Sequence, residues 1–436
     1  MKRISIIIFA IVLIIINISC KEKNQVKENN YDRVFITFYY KDTVHKKAYV
    51  NVNINSFDDN DTLLYHFPEG FVKIKSIIMN GKKCNYLFKN HYLKILPGQS
   101  KKNNQIVLDF SLPMDSLYTK KEYFIGSYFL FPNKDNNRVE LSINARIPSG
   151  YKYYSNGNVI LKTNGSDSVY TIHNNLVKYY AVILAPNNRY EKIEKTIKNK
   201  KLKFYFIDTN KNKQDSIIND LIVSYKNCEN KIGDYNRNEF VFIEYPDLDY
   251  CNSMEGFLVS GRSWVYYYNR FPGMNFWTSH EIVHQWFGSG VYLRKTKTKI
   301  SYRNFLSESL SEFIRWTNLE DVFKNDTLQK NINYSIIEYE NQIKGSKNDE
   351  PISADLPNRV TYACGPIIYY YIRNKIGKDN WHKLLRDYYN TYKGKFATFD
   401  DFELELSKYM SKADIKTMHS YLDNKFSFFL SQFKNE

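Results

Sequence analysis

The stretch HEIVHQWFG, residues 280–288, decides how this sequence is interpreted. On an α-helix, four residues turn the direction of a side chain by about 400°, so His280 and His284 point from one face, one turn apart. Two imidazoles in this arrangement can share a tetrahedral cation, and Glu281 can reach a water beside the cation without ligating it. The stretch therefore predicts a zinc site on a helix. A pair of capped or core histidines is the alternative.

A zinc site of this kind needs a third protein ligand and leaves its fourth position to water. The candidate is Glu308 in NFLSESLSEF, because this segment begins a second helix that can lie beside the first. Glu312, one turn later, is predicted either to orient a ligating histidine or to be an exposed charge. One face of this helix shows the helical period and is formed by Leu306, Leu310, Phe313, Ile314 and Thr317.

HEIVHQWFG followed by NFLSESLSEF resembles the zinc signature of the aminopeptidase N family of gluzincin metallopeptidases, which is HExxHQWFG and later LNEGFASY. The resemblance implies that His280, His284 and Glu308 bind one zinc ion per chain and that Glu281 is the catalytic base. The family has eighteen residues between the second histidine and the glutamate, whereas residues 285–307 make twenty-three here. The extra residues are expected to lengthen the loop between the two helices.

NSMEG, residues 252–256, is similar to the family's exopeptidase motif GxMEN. The match implies that Met254 and Glu255 contact the substrate and that Glu255 binds its free α-ammonium group through a charge-assisted hydrogen bond. Asn252 and Gly256 depart from the usual residues. An ordinary carboxylate at the end of a strand is the alternative for Glu255.

TYACGPIIYYYIRNKIG, from residue 361, is similar to the segment YxKGxxxLxxLRxxIG that carries the family's catalytic tyrosine. The resemblance implies that Tyr362 stabilises the oxyanion of the tetrahedral intermediate, and that Gly365 keeps the register. The chain has 38 tyrosines, so a packing role is the alternative for any one of them.

The first half of the chain has short runs rich in β-branched and aromatic residues, separated by turn sequences such as NGKK, PGQS and NGSD. This pattern predicts a β domain. RIPSGYKYYSNGN is similar to a strand and turn of the family's N-terminal domain, and LFPNKD stands near the place of its glutamine-bearing motif. The predicted strands are YVNVNI, IKSIIM, QIVLDFSL, VELSINARI, NVILKT, SVYTIH and YYAVIL.

After about residue 200 the pattern changes to that of an α/β layer followed by helices. KLKFYFI and EFVFIEY are predicted strands on either side of the helix QDSIINDLIVSYKNCENKI. Beyond Gly273 the apolar residues recur with the helical period. These features predict a small sheet and a helical remainder.

The N-terminus has the pattern of an export signal. Lys2 and Arg3 precede the apolar run from Ile4 to Ile16, which is short for a membrane span of about 20 residues. The ending at Cys20 resembles a bacterial lipoprotein signal, and KEKNQVKENN after it is predicted to be a flexible tether. An uncleaved anchor is the alternative, and both interpretations hold the exported protein at a membrane.

Composition excludes several classes of protein. With 436 residues, 43% of them hydrophobic, the chain can bury a large core in two or three domains. The net charge of +16 is dispersed, so no nucleic acid partner is predicted. The remaining cysteines are too widely spaced for a disulfide framework and are interpreted as packing residues, namely Cys84, Cys228, Cys251 and Cys364.

The sequence predicts a multidomain α+β protein, with a saddle- or sandwich-like N-terminal β-sheet domain and a thermolysin-like, mainly helical catalytic domain with a small sheet. The expected segments are a signal peptide at 1–19, a tether at 20–31, the β domain at 32–197 and the peptidase domain at 198–436. The expected function is zinc-dependent removal of N-terminal residues from peptides at the bacterial cell envelope. An endopeptidase, a non-catalytic zinc protein that binds peptides, and a metal-free binding lipoprotein are the alternatives.

Overall fold

The computed structural model describes residues 32–42, 47–56, 63–66, 72–96, 104–114, 118–119, 122–126, 138–164, 167–178, 180–246, 248, 250–267, 277–294, 302–323, 326–355 and 359–433. The expected signal peptide, Cys20, the tether and the LFPNKD segment lie outside these residues. Within them, no helix is long and apolar enough to cross a membrane.

The first part of the chain is built from β-strands, as its alternating pattern predicts. In several of the long strands every second residue is buried, so one face of each packs on a core and the other is more exposed. The strands are β1 (Asp32–Asp42), β2 (Lys47–Ser56), β3 (Leu63–His66), β4 (Lys73–Met79), β5 (Lys82–Lys83), β6 (Tyr86–Lys89), β7 (Tyr92–Ile95), β8 (Asn104–Pro113), β9 (Tyr118–Thr119), β10 (Glu122–Gly126), β11 (Val139–Pro148), β12 (Tyr151–Ser155), β13 (Asn158–Asn164), β14 (Asp167–Val177) and β15 (Ala181–Pro186).

These strands form three sheets. The largest has the order β13-β14-β11-β1-β2-β8-β4-β5, in which only the β1–β11 pair is parallel. A four-stranded sheet has the order β12-β15-β10-β9, and a three-stranded sheet has the order β3-β7-β6. The β domain expected from the sequence is therefore confirmed.

A five-stranded sheet begins the second part of the chain. Its strands are β16 (Glu191–Ile197), β17 (Lys200–Phe206), β18 (Glu239–Tyr245), β19 (Cys251–Met254) and β20 (Phe257–Gly261), in the order β16-β17-β18-β20-β19. Helix α1 (Lys211–Lys231) connects the parallel strands β17 and β18, as predicted. Strand β16 pairs with β17 across the expected boundary at 197/198, which stays a prediction.

Helices make up most of the chain after this sheet. They are α2 (Arg262–Tyr267), α3 (Trp277–Val283), α4 (Leu310–Phe323), α5 (Thr327–Glu338), α6 (Arg359–Ala363), α7 (Gly365–Ile376), α8 (Lys378–Tyr392), α9 (Phe399–Leu406), α10 (Lys412–Asp423) and α11 (Phe426–Phe433). Two π-helical turns (Phe305–Ser309 and Tyr339–Ile343), a 3₁₀ turn (Ile352–Ala354) and the short parallel pair β21 (Tyr292–Leu293) and β22 (Phe396–Ala397) complete this part.

Each part has its own hydrophobic core, and a smaller cluster joins them. In that cluster, Tyr154 and Ile183 of the four-stranded sheet pack with Val241 and Phe257 of the five-stranded sheet. All four side chains are at least 92% buried. This contact joins the four-stranded sheet to the five-stranded sheet, whose edge strand β19 is hydrogen-bonded to helix α3, where the histidine motif begins.

Candidate active site

Helix α3 carries the first half of the histidine motif. The helix ends at Val283, so His284 lies in the turn that comes after it and not, as expected, on the helix itself. The turn keeps the two rings together, since Nε2 of His280 is 3.1 Å from Nε2 of His284. Both nitrogens point into the same cleft.

Glu308 lies in the π-helical turn before α4. In this turn the backbone N–H of Leu310 donates to Phe305 O, five residues back. The turn brings Oε2 of Glu308 to 3.4 Å from Nε2 of His280 and 3.3 Å from Nε2 of His284. π-turns within helices occur often at functional sites.

Glu312 orients His280 from the opposite side of the ring. Its Oε2 is 2.9 Å from Nδ1 of His280, and since an ionised carboxylate only accepts, this nitrogen must donate. Arg315 and the Nε1–H of Trp316 also donate to Glu312. Burial alone would raise the pKa of Glu312, but Arg315 and His280 hold it well below its usual range. Of the two roles expected for Glu312, the geometry fits the orienting one.

His284 is oriented by oxygen atoms in the same way. Its Nδ1 is 3.3 Å from the backbone oxygen of Phe287 and 3.2 Å from Oγ of Ser311. The carbonyl can only accept, so Nδ1 carries the proton and Nε2 keeps its lone pair. In both histidines the nitrogen that faces Glu308 is therefore available to a metal.

The donor set fits a zinc ion. One ligand atom from each of His280, His284 and Glu308 lies within 4.8 Å of the others. Two imidazoles and one carboxylate, with the fourth position open to the cleft, are the ligands of a catalytic zinc site. Burial lowers the pKa of His280, but Glu308 and Glu312 outweigh burial and raise it to about 10. Glu308 and Glu312 therefore favour an additional positive charge, such as that of a metal ion, beside the histidines.

The three donors open into a cleft of about 710 Å³. Glu281 lines this cleft beside them, and burial, which is offset in part by the two histidines, raises the pKa of its carboxyl group. A raised pKa suits a group that accepts a proton and returns it near neutral pH. The hydroxyl of Ser253 donates to the backbone oxygen of Glu281 at 2.9 Å, which ties strand β19 to helix α3.

Tyr362 lies in the wall of the same cleft. Its ring centre is 6.0 Å from that of His280, and 41% of the residue is exposed. Burial of the hydroxyl and the neighbouring Glu308 raise the pKa of Tyr362 well above its ordinary value, so the phenol stays protonated. It can therefore donate a hydrogen bond to an oxyanion beside the donor set.

Gly365 allows the segment with Tyr362 to pack closely against the turn with Glu308. A Cβ atom at Gly365 would lie 2.0 Å from Oγ of Ser309, so only glycine lets the segment with Tyr362 approach the turn with Glu308 this closely. Oγ of Ser309 donates to the backbone oxygen of Thr361 at 2.6 Å and holds the two segments together.

Met254 and Glu255 are not in the cleft wall. Both side chains are buried, with 5% and 0% exposed, and neither lines the cleft, whereas Cys251, Asn252 and Ser253 do. Oε1 of Glu255 accepts a hydrogen bond of 2.8 Å from the backbone N–H of Lys178. The expected contact of Glu255 with a substrate ammonium group is therefore not formed by the described geometry, and that role stays a prediction.

Gln285, the residue after His284 in the histidine motif, fixes the NSMEG segment, a role that the sequence pattern does not predict. Its Nε2 donates to Met254 O, and its Oε1 accepts from the N–H of Gly256, each at 2.8 Å. Gly256 has φ +72°, a region open to glycine and asparagine. This conformation explains why glycine can stand where the resembled motif has asparagine.

Lys178 also lines the cleft, from the segment between β14 and β15. No local motif marks it in the sequence, because its position depends on how the β domain packs against the second part of the chain.

Known proteins with a similar sequence motif or a similar fold are zinc metallopeptidases, which agrees with the donor set described here. Residues 275–422 match the Peptidase family M1 domain. No curated protein matches the chain. The M1 zinc metallopeptidase from Deinococcus radiodurans is similar in fold, with a TM-score of 0.67 and 11% sequence identity over 90% of this chain and 93% of that one.

Two further structures have the same degree of similarity. One is a variant of the Deinococcus radiodurans enzyme bound to the substrate Tyr-Ser-Ala, at TM-score 0.67, 10% identity, and coverage of 91% of this chain and 94% of that one. The other is a two-domain M1 zinc metallopeptidase variant bound to L-arginine, at TM-score 0.67, 11% identity and the same coverage. At this identity the likeness concerns the fold.

The fold and the donor set define a zinc metallopeptidase. The match to the Peptidase family M1 domain, over residues 275–422, spans helices α3 to α9. The expectation of a thermolysin-like catalytic domain behind an N-terminal β domain is thereby confirmed.

Proposed function

We propose that this metallopeptidase removes residues from the amino end of peptides that lie extended along strand β19. The observation that carries the peptidase function is the convergence of His280, His284 and Glu308 beside Glu281. The resemblance of NSMEG to an exopeptidase motif supports the specificity, as do the tripeptide and the single amino acid bound by the structurally similar M1 enzymes.

The position of β19 supports an extended substrate. It is the edge strand of the five-stranded sheet, and Cys251, Asn252 and Ser253 line the cleft beside the donor set. An edge strand can pair with the backbone of a bound peptide, which fixes the peptide without regard to its side chains. Such pairing lays a peptide bond across the mouth of the site.

The roles of the side chains follow from their positions. A zinc ion held by His280, His284 and Glu308 supplies Lewis-acid chemistry, which polarises a carbonyl group and lowers the pKa of water. Glu281 accepts the proton from the attacking water and passes it to the nitrogen of the leaving amine. Tyr362 donates a hydrogen bond to the oxyanion that forms when water adds to the carbonyl carbon.

The variant Glu281→Gln tests the catalytic function. It keeps the size and hydrogen-bonding shape of the side chain but cannot accept the proton, so hydrolysis of a fluorogenic amino-acid amide should fall at least about 100-fold. Zinc content, measured on the purified protein, should stay at one ion per chain. Activity equal to wild type would overturn the mechanism.

Burial of Glu255 favours a second candidate specificity. A carboxylate that is 0% exposed and bonded to a backbone N–H cannot reach a substrate ammonium group without a change of conformation. A peptidase that ignores the N-terminus would cleave acetylated and free peptides equally well. An aminopeptidase would cleave only the free ones, so one matched pair of peptides separates the two.

We also propose that the protein is exported and anchored at the cell envelope through a lipid on Cys20. The support is the sequence alone, with its short apolar run after Lys2 and Arg3 and the serine before the cysteine. The variant Cys20→Ser should lose both incorporation of labelled palmitate and membrane sedimentation. An unchanged fraction in the membrane pellet would favour an uncleaved anchor.

A further inference from the structure

Aromatic side chains line one end of the cleft. Tyr250, Trp264 and Trp277 lie there beside Cys251 of strand β19, and these four residues are called the aromatic wall. The rings of Trp264 and Trp277 meet edge to face, with their centres 5.9 Å apart. Tyr250 is 53% exposed, whereas Trp277 is 7% exposed and packs against Phe242 of the core. The wall thus combines a ring that is open to the cleft with one that is anchored in the core.

Three segments of the chain bring these rings together. Tyr250 directly precedes β19, Trp264 lies on α2, and Trp277 is the first residue of α3. The backbone N–H of Gly261, at the end of β20, donates to Tyr250 O at 3.1 Å. A Cβ atom at Gly261 would lie 1.9 Å from Leu248 O, so glycine lets the segment with Tyr250 lie against the start of α2. Packing of the backbone therefore holds the rings in place.

The aromatic wall differs in chemistry from the rest of the cleft. Among the described residues of the cleft wall, those from positions 250 to 277 carry no charge. Lysine, arginine and glutamate residues of the cleft wall come from other segments, namely Lys178, Glu281, Arg303, Glu308, Glu312 and Arg315. Burial raises the pKa of the Cys251 thiol, and the nearby Glu281 raises it further, so the thiol is neutral. This end of the cleft therefore suits an apolar side chain.

The aromatic wall lies to one side of the catalytic carboxylate. Ser253 is next to that group, because its hydroxyl donates to Glu281 O at 2.9 Å. Cys251 and Tyr250 come two and three residues earlier, about 7–10 Å along an extended strand. The opposite direction along β19 leads to Met254, toward which the amino end of the peptide lies under the proposed function. The wall is therefore within reach of the first two residues after the cleaved bond.

We propose that the aromatic wall binds a large apolar side chain, aromatic or branched aliphatic, of the first or second residue after the cleaved bond. Removing such a side chain from water is favourable in proportion to its apolar area, and edge-to-face contact between rings adds to this. A charged side chain would lose hydration against the uncharged residues of the wall. The inference names a substrate class for the proposed peptidase and rests on that function.

Two series of peptides with free amino ends test the inference. They are Ala-Xaa-Ala-Ala and Ala-Ala-Xaa-Ala, in which Xaa is phenylalanine, leucine, alanine or glutamate. Initial rates give kcat/KM for the zinc-loaded wild type, and the product masses locate the cleaved bond. Where Xaa follows that bond, phenylalanine and leucine should exceed alanine by about 10- to 100-fold, and glutamate should fall below alanine. Equal values in both series, or a preference only before the bond, overturn the inference.

Variants of the aromatic wall assign the preference to its residues. Trp264→Ala and Tyr250→Ala should each lower the ratio of kcat/KM between the phenylalanine and alanine peptides by about fivefold or more. This ratio does not depend on the amount of folded enzyme, because the same molecules cleave both peptides. Trp264→Phe keeps an aromatic ring and should keep most of the preference. Tyr334→Ala, at a tyrosine of α5 that is 66% exposed, is the control.

An unchanged ratio in both Trp264→Ala and Tyr250→Ala overturns the inference. Failure of the proposed function gives a different result, since the zinc-loaded wild type then cleaves none of the peptides. The same peptides are in that case titrated into the zinc-loaded Glu281→Gln protein by calorimetry. Binding of the phenylalanine peptide about tenfold more tightly than the alanine peptide supports the aromatic wall as a binding site, and equal binding overturns it.

Discussion

Oε2 of Glu312 lies 2.9 Å from Nδ1 of His280, on the side of the ring away from the zinc donor set. Arg315 and Trp316 hold the same carboxylate, so its position is fixed by three donors. The contact sets the tautomer of His280 and the direction of its Nε2 lone pair. Glu312 therefore acts on the metal site through the histidine.

Removing this carboxylate should weaken zinc binding. For Glu312→Ala we expect a loss of about 10- to 100-fold in zinc affinity, because His280 loses the partner that orients it. Competition with a chromogenic chelator measures the affinity directly. Glu340→Gln, which changes an exposed glutamate paired with Lys344, is the control and should bind zinc as wild type does.

Tyr362→Phe should lower kcat by about 100-fold, equivalent to about 3 kcal/mol, while leaving the zinc content and the fold intact. The reason is that the phenol hydrogen bond is made to the oxyanion and not to the ground-state peptide. Steady-state kinetics on a fluorogenic amide measures kcat and KM separately. Tyr334→Phe, at a tyrosine that is 66% exposed on α5, should change neither. A fall in kcat that both variants share would argue against the assignment.

Gly365→Ala should destabilise the protein. The new methyl group would lie 2.0 Å from Oγ and 2.6 Å from Cβ of Ser309, so the segments with Tyr362 and Glu308 must move apart. We expect a loss of about 1–3 kcal/mol, seen as a drop of several degrees in Tm. Gly150→Ala, where no atom lies within 4 Å, should cause a small change only.

The double variant Gly365→Ala, Ser309→Gly removes both atoms that the new methyl group meets. It should recover part of the lost Tm if the clash is the cause. No recovery would mean that Gly365 is needed for another reason.

His382 should make the stability of the protein depend on pH. Burial, together with Lys231 and Lys378, lowers the pKa of His382 to about 4, below the ordinary value of 6.5. Between these values the unfolded chain binds a proton that the folded chain excludes, so stability falls as the pH drops from 6.5 to about 4.

Urea unfolding at several pH values tests this effect. The variant His382→Gln should lose less stability than wild type between pH 6.5 and about 4, and the difference between the two should be constant above about pH 7. His173→Gln, a change at an exposed histidine of β14, is the control. If the free energy of unfolding changed with pH in the same way in wild type and in His382→Gln, the prediction would be contradicted.

Local pattern is enough to predict most of the fold. The strands and the helix α1 follow from alternation, turn residues and helical period, which depend on residues close together in sequence. The expected boundary at 197/198 separates β16 from β17, whereas the structure pairs these two strands, and composition alone does not predict that pairing. The sequence of β16, EKIEKTI, is largely exposed at the edge of the sheet and has no strong apolar pattern.

The site can be predicted in part. The spacing of His280 and His284 and the pattern around Glu308 indicate the donor set, although the helix ends before His284 and Glu308 lies in a π-turn. Neither detail alters which atoms converge. The burial of Glu255 and the position of Lys178 cannot be predicted, because both depend on how two distant segments pack.

The π-turn at residues 305–309 limits which insertions and deletions this sequence can accept during evolution. Loss of one residue from it would restore ordinary α-helical bonding and rotate Glu308 by about 100° relative to the rest of α4, away from the imidazoles. An insertion or deletion in this turn would therefore displace a zinc ligand. The connection before the turn differs in length instead, since it is five residues longer than in the aminopeptidase N family that the sequence resembles.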